Sequence, residues 1–503
     1  MSGKKLKIVS IASEMTPFSK SGGLADVAEC LPRAIRDLGQ EVIAITPLYE
    51  QIIDKQAWGL KPLFENVEVY INDEEKVNVS YWQGSLSDGL PVYFIENAKY
   101  FSRKKSIYGS EHENARFFVF DVAALKLLSL LKFEADIIHC HDWHTGLIPY
   151  FLKTDFRYSE TLKDTKTIFT IHNLVFQLGH DWWSVPSEAR DDGRGRLLKL
   201  SEPSIENINF VRRAILHADA LTTVSETYRE EIMTKEFGED QEKLLANRAD
   251  RLFGIINGID EGAWDPATDP GLHRNYDSER FIQAKAENKA FVQKAFGLAV
   301  SPNTPIICSA CRMTFQKGFE LIVNIMEHLA ALDLQVIMVG DCHKDYLSKL
   351  KRFAKKHPKR IVFLPTHDDC MKYETQIYAA SDLYLMPSYY EPCGLNQLRA
   401  MRYGSVPVVR RVGGLNDTVK DYDPAHNRGT GFVFDKFNEL QLFGAVVRAM
   451  ESYKYGPQWE DLVKRAMKES HSWDIPADKY LKLYRSVRRW DKGKGQEGVE
   501  TKI

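Results

Sequence analysis

Three cations beside glycines or at predicted helix starts mark where this chain could hold an anion. Lys20 stands in "SKSGGLADV" (19–27), and Arg312 and Lys317 stand in "RMTFQKG" (312–318). The pair Gly22-Gly23 returns as Gly413-Gly414 in "GGLNDTV" (413–419), so Gly-Gly-Leu-x-Asp is written twice. Glycines before a helix let backbone N–H groups approach an anion, and the helix dipole favours negative charge there. A helix N-terminus alone contributes about 0.3–1 kcal/mol, too little to hold a diphosphate. The three cations add charge-assisted bonds, and a phosphate-containing ligand is the expected occupant.

A second set of residues suits sugar, acid–base or metal chemistry. "HCHDWH" (139–144) holds His139, His141, Asp142 and His144, and His172-Asn173 follows "TIFTI". Histidines at this spacing suggest zinc, but Asp142 stands one place too early for an H-x-H-x-D-H metallohydrolase pattern, and no further ligand cluster is evident. "SYYEPCGLNQ" (388–397) adds Glu391. Cys308 and Cys311 are spaced like a redox pair, yet Cys308 falls inside an apolar run and reads as a structural thiol.

The elements that must position these residues alternate short apolar runs with amphipathic helices. "LKIVSIA" (6–12), "EVIAIT" (41–46), "ADIIHC" (135–140), "TIFTI" (167–171) and "ALTTV" (220–224) predict a first set of strands. "PIICSA" (305–310), "LQVIMVG" (334–340), "RIVFLP" (360–365), "DLYLMP" (382–387) and "VPVVR" (406–410) predict a second. Runs apolar throughout and separated by helices imply parallel strands covered on both faces. The helix after the first strand should kink or restart at Pro32. In such sheets ligands bind outside the carboxyl ends of the strands, where the chemically rich residues fall.

With 503 residues the chain should form more than one domain. The expected division is an N-terminal Rossmann-like domain to 256, a Gly/Pro/Asp-rich hinge over 257–277, and a C-terminal domain over 278–472. A helical segment over 473–490 should pack back on the first domain, and a polar tail should follow over 491–503. A net charge of −2 offers no global field for nucleic acid or an anionic membrane. Seven cysteines, the short apolar run near the start and the absence of an 18-residue apolar stretch read as a soluble protein of the cytoplasm.

Eight ordered motifs carry a resemblance. "KSGGLADV", "HCHDWHTGLIP", "FTIHN", "TTVSETYREE", "GIINGIDEGAWDP", "RMTFQKG", "MPSYYEPCGLNQLRAMRYG" and "PVVRRVGGLNDTV" resemble the bacterial glycogen synthase and plant starch synthase family. The resemblance implies an α/β GT-B architecture, two Rossmann-like doubly wound domains facing across a deep cleft. It implies retaining transfer of glucose from ADP-glucose to the non-reducing 4-hydroxyl of an α-1,4-glucan, with no metal or other cofactor. By motif, Lys20, Gly22 and Gly23 would meet the donor, with Asn257, Gly394, Leu395, Asn396, Gly413 and Gly414. His172, Glu391, Arg312, Lys317 and Asp142 would carry the chemistry, and Asp26, His144 and Asn173 would line the acceptor side. Four departures, at Cys342, Val412, Asn396 and Asp369 near Tyr373, fall on the nucleotide side and leave UDP-glucose open as the donor. A glucan-binding protein without catalysis and the metallohydrolase are the other readings. Arg399, where many GT-B enzymes carry a second glutamate, favours the glycogen and starch group.

Overall fold

The computed structural model describes residues 4–72, 74–102, 106–197 and 199–490. The chain divides into two compact units, Met1–Val224 with Arg229–Ile255 and Trp473–Ile503, and Ser225–Tyr228 with Ile256–Ser472. The expected hinge, 257–277, therefore belongs to the second unit, where Asp265 and Asp269 bond to Arg402 and Tyr403. The expected tail, 491–503, lies outside the described residues.

Among the described residues the first unit is built on nine strands. They are β1 (Lys7–Ile11), β2 (Glu41–Pro47), β3 (Lys61–Tyr70), β4 (Lys76–Ser85), β5 (Pro91–Glu96), β6 (Ile137–His141), β7 (Lys166–Ile171), β8 (Ala220–Thr223) and β9 (Leu252–Gly254). Their order is β3-β4-β5-β2-β1-β6-β7-β8-β9. From β5 to β9 every pairing is parallel, as the apolar runs imply. The sheet is nonetheless mixed, because β3 and β4 add antiparallel at one edge. β3 alternates charged and apolar residues with little burial, so it carries no continuous apolar run for a sequence reading to find.

The helix Gly23–Asp37 runs unbroken through Pro32, which is buried. The expected restart does not occur; the amphipathic stripe of Leu24, Val27, Leu31 and Ile35 packs continuously and outweighs one missing rung. The helix Glu113–Leu130 is apolar on all sides and buried along most of its length. The helix Asp474–Arg488 packs on Gly23–Asp37 within this unit, and Trp490 beyond it lies 5.0 Å from the Arg251 guanidinium.

The second unit holds β10 (Ile306–Ala310), β11 (Gln335–Val339), β12 (Ile361–Leu364), β13 (Leu383–Met386), β14 (Val406–Arg410) and β15 (Phe432–Phe434). All pair in parallel, in the order β12-β11-β10-β13-β14-β15. That is the doubly wound order, with its switch between β10 and β13. Among the described residues no helix is long and apolar enough to cross a membrane.

Candidate active site

In the first unit the loop after β1 turns on a carboxylate. Lys20 Nζ lies 2.6 Å from Asp26 Oδ1, in the first turn of the helix that Gly23 opens. The N–H group of Gly22, expected to face the donor, donates with that of Ser21 to the carboxylate of Glu14. Glu14 is 2% exposed, and burial pushes its carboxyl up to about 7 against those two bonds. The chain thus supplies its own anion to this loop. Glu14 was not singled out from the sequence; its signal is an acid three residues past the end of β1.

The ends of β6 and β7 form a buried hydrogen-bonded cluster. Asp142 adopts φ 59° and ψ 177°, a conformation rare outside glycine and typical of functional turns. Its carboxylate accepts the His172 N–H at 2.8 Å and the Asn173 N–H, while burial pushes it up to about 7. His172 Nε2 lies 3.0 Å from His141 Nδ1, and His141 Nε2 lies 3.3 Å from Ser10 Oγ. His139 bonds Tyr484 Oη at 2.7 Å through Nδ1 and Thr170 Oγ1 at 2.6 Å through Nε2. Burial holds His139 and His172 down at about 3, so both rings are neutral near pH 7.

Every ring nitrogen of His139 and His141 is therefore occupied by a protein partner. Among the described residues no group of three His, Cys, Asp or Glu side chains could hold a metal ion. His144 stacks on Tyr108 at 4.7 Å and meets Phe117 edge-on at 4.6 Å, and its buried Nδ1 has no partner among the described residues. Asn173 accepts the Val175 N–H at 3.2 Å, which shapes the turn leaving β7.

In the second unit the loops after β10, β13 and β14 converge. Lys317 Nζ lies 2.6 Å from Glu391 Oε2, and both side chains are largely buried. Ser388 Oγ donates to the same oxygen at 3.0 Å. Gly318, at φ 74°, lets the chain pass Pro387, since a Cβ there would stand 2.0 Å from the Pro387 carbonyl oxygen. The Gly414 N–H donates to the Glu391 carbonyl at 3.0 Å, and a Cβ on Gly414 would meet Cys393 O at 2.0 Å. Gly413 and Gly414 open the short helix Gly413–Thr418. Gly394 takes φ 72° just before Leu395 and the helix Asn396–Arg402.

Asn396 Nδ2 donates to Ala310 O at 2.7 Å, tying that helix to the end of β10. Asn257 is buried; its N–H meets the Cys393 thiol, and its Oδ1 has no partner among the described residues. Arg312 is exposed, its carbonyl accepts the Thr314 N–H at 3.1 Å, and its side chain makes no hydrogen bond or ion pair among the described residues. Two of the four departures, Asn396 just described and Asp369, have local roles. Asp369 is the third residue of the helix His367–Ala380, and its carboxylate accepts the Thr366 hydroxyl at 2.6 Å while Thr366 caps the Asp369 N–H. Tyr373 packs edge-on against Phe296 at 5.2 Å.

Two family models match the chain, the starch synthase catalytic domain over residues 7–247 and glycosyl transferases group 1 over residues 293–468. The glycogen synthase of Bacillus licheniformis is 39% identical over 487 residues, covering 95% of this chain and 98% of that protein. The chain belongs to the glycogen synthase and starch synthase family. Glycogen synthase 2 of Geobacter sulfurreducens is likewise 39% identical over 487 residues, covering 95% of this chain and 98% of its own length. Among solved structures, the catalytic domain of starch synthase IV from Arabidopsis thaliana, bound to ADP and acarbose, matches with a TM-score of 0.85. It is 33% identical and covers 96% of this chain and 100% of that one. Sucrose-phosphate synthase from Thermosynechococcus elongatus, 17% identical with a TM-score of 0.59, shares the fold. As a family member with two units whose central strands run parallel, the chain is a GT-B glucosyltransferase.

Proposed function

We propose that this enzyme transfers glucose from ADP-glucose to the non-reducing 4-hydroxyl of an α-1,4-glucan, with retention of configuration and without a metal ion. The observation that carries the reading is the buried Lys317–Glu391 pair at the switch point of the second sheet, in a chain that matches glycogen synthases along nearly its whole length. The ADP in the starch synthase IV structure supports the nucleotide.

In this reading the bond between C1 of glucose and the diphosphate breaks, and C1 bonds to the acceptor oxygen. The acceptor proton passes to the departing phosphate. Charge grows on that phosphate, and Lys20, Arg312 and Lys317 offset it. Arg312 is suited to this task because it is exposed and makes no ion pair among the described residues. Glu391 orients the sugar, as do His172 and Asn257, whose unpartnered Oδ1 can take a sugar hydroxyl. Asp142, Asp26, His144 and Asn173 serve the acceptor. The backbone of Gly394, Leu395 and Asn396, with Gly413 and Gly414, meets the diphosphate.

The test is incorporation of radiolabelled glucose into a glycogen primer, from ADP-glucose and from UDP-glucose in parallel. Label from ADP-glucose in preference to UDP-glucose is expected. Preference for UDP-glucose overturns the donor, and no incorporation from either overturns the reaction.

A further inference from the structure

We infer that Ser10 and His141 are positioning residues that fix the tautomer of His172, so that His172 presents Nδ1–H as a hydrogen-bond donor to an oxygen of the transferred sugar. The inference rests on the proposed reading of His172 as a sugar contact.

A neutral imidazole carries one N–H and one bare nitrogen, and the hydrogen bond made by one nitrogen decides the state of the other. Burial keeps both His172 and His141 neutral near pH 7. The chain of contacts is linear: Ser10 Oγ to His141 Nε2 at 3.3 Å, then His141 Nδ1 to His172 Nε2 at 3.0 Å. Ser10 decides its direction. Ser10 is 5% exposed, and His141 Nε2 is the one side-chain partner of its hydroxyl among the described residues. Were Nε2 protonated, the serine proton would be buried with no acceptor, the costly arrangement for a buried donor.

The serine proton therefore goes to His141 Nε2, and the His141 proton sits on Nδ1. That N–H donates to His172 Nε2, which leaves the His172 proton on Nδ1. Nδ1 of His172 has no hydrogen-bond partner among the described residues, and the residue keeps part of its surface open. His139 packs against the relay: its ring lies 4.1 Å from the His141 ring, centre to centre and tilted by 33°, with its own nitrogens taken by Tyr484 and Thr170.

The test uses the full chain with histidines labelled in nitrogen, the His172 signals being identified by their loss in His172→Gln. In the unaltered protein Nδ1 of His172 should read as protonated and Nε2 as bare. Ser10→Ala frees the relay, so both forms should appear, with kcat falling about tenfold and the donor KM staying within about twofold. His141→Asn, whose amide N–H stands where Nδ1–H was, should keep the tautomer and most of the turnover, whereas His141→Leu should lose both. A protonated Nε2 on His172 in the unaltered protein overturns the inference. So do unchanged shifts and unchanged kcat in Ser10→Ala. Full turnover by His172→Gln overturns the reading of His172 as a sugar contact, and its donor role with it, independently of the measured tautomer.

Discussion

Lys317 Nζ and Glu391 Oε2 sit 2.6 Å apart, joining the loop after β10 to the loop after β13. The cation assigned to the diphosphate and the carboxylate assigned to the sugar thus hold each other in place. Lys317→Ala should lower kcat by roughly 10²–10³-fold and weaken donor binding. It should also cost about 3–5 kcal/mol of stability, because a buried carboxylate is left unpaired. Glu391→Gln keeps an acceptor for Ser388 yet frees Lys317. The double variant should lose less stability than the two singles added together. Additive losses, from denaturant midpoints, would show that the pair is not coupled.

The charge states of Asp142 and Glu14 give a pH signature. Asp142 rises from 3.8 to about 7 on folding and Glu14 from 4.5 to about 7, so the native state binds more protons than the unfolded chain in between. Their contribution to stability is complete below about pH 4 and is lost as pH rises to about 7. His139 and His172 act oppositely: their fall from 6.5 to about 3 makes stability decline as pH drops through that range. Asp142→Asn isolates the first effect, since its amide oxygen still accepts the His172 N–H. Relative to the unaltered protein it should gain about 1.4 kcal/mol per pH unit between pH 4 and pH 7. A pH-independent difference in urea midpoints would contradict the raised carboxyl.

Gly414→Ala should be among the most damaging single-methyl changes in the second unit. Its Cβ would stand 2.0 Å from Cys393 O and 2.5 Å from Cys393 Cα, both backbone atoms. Relief requires separating the Gly413-Gly414 turn from the Glu391–Gly394 loop and breaking the Gly414 N–H bond to Glu391 O. A stability loss of about 1–3 kcal/mol is expected, with a larger proportional loss of turnover. Gly444→Ala, inside the helix Glu439–Tyr453 with nothing within 4 Å of the added Cβ, is the control and should leave turnover unchanged while raising stability by about 0.5–1 kcal/mol.

Chelation tests the metal-free proposal. Exhaustive EDTA treatment followed by assay in metal-free buffer should leave turnover intact, since Lys20, Arg312 and Lys317 are proposed to offset the leaving charge. Activity that vanishes and returns with zinc or manganese would reverse that assignment.

The strand ends were legible in the sequence because buried parallel strands are continuous apolar runs, and β6 and β7 deliver Asp142 and His172 as read. What escaped was of two kinds. β3 and β4 carry charged and polar residues and are half exposed, while β9 and β15 are three residues each, too short to stand out. β5, though apolar over 92–95, is not among the runs predicted as strands. The other losses are long-range pairings that no local pattern encodes. Glu14 supplies the anion for the N–H groups of Ser21 and Gly22, and Tyr484 reaches His139 across 345 positions. Asp369, read as a departure on the nucleotide side, stands in a helix cap three residues after Thr366.

The helix Asp474–Arg488 belongs to the first unit although the whole of 256–472 intervenes. On a ribosome, the second unit's main segment can therefore emerge and fold while the first still lacks a wall of its core. Until residues 473–490 clear the exit tunnel, His139 lacks its Tyr484 partner and the Gly23–Asp37 helix keeps an apolar face bare. The packing around the histidine relay is finished last, so a nascent chain interrupted between residue 419 and that helix carries every motif and an unfinished active site.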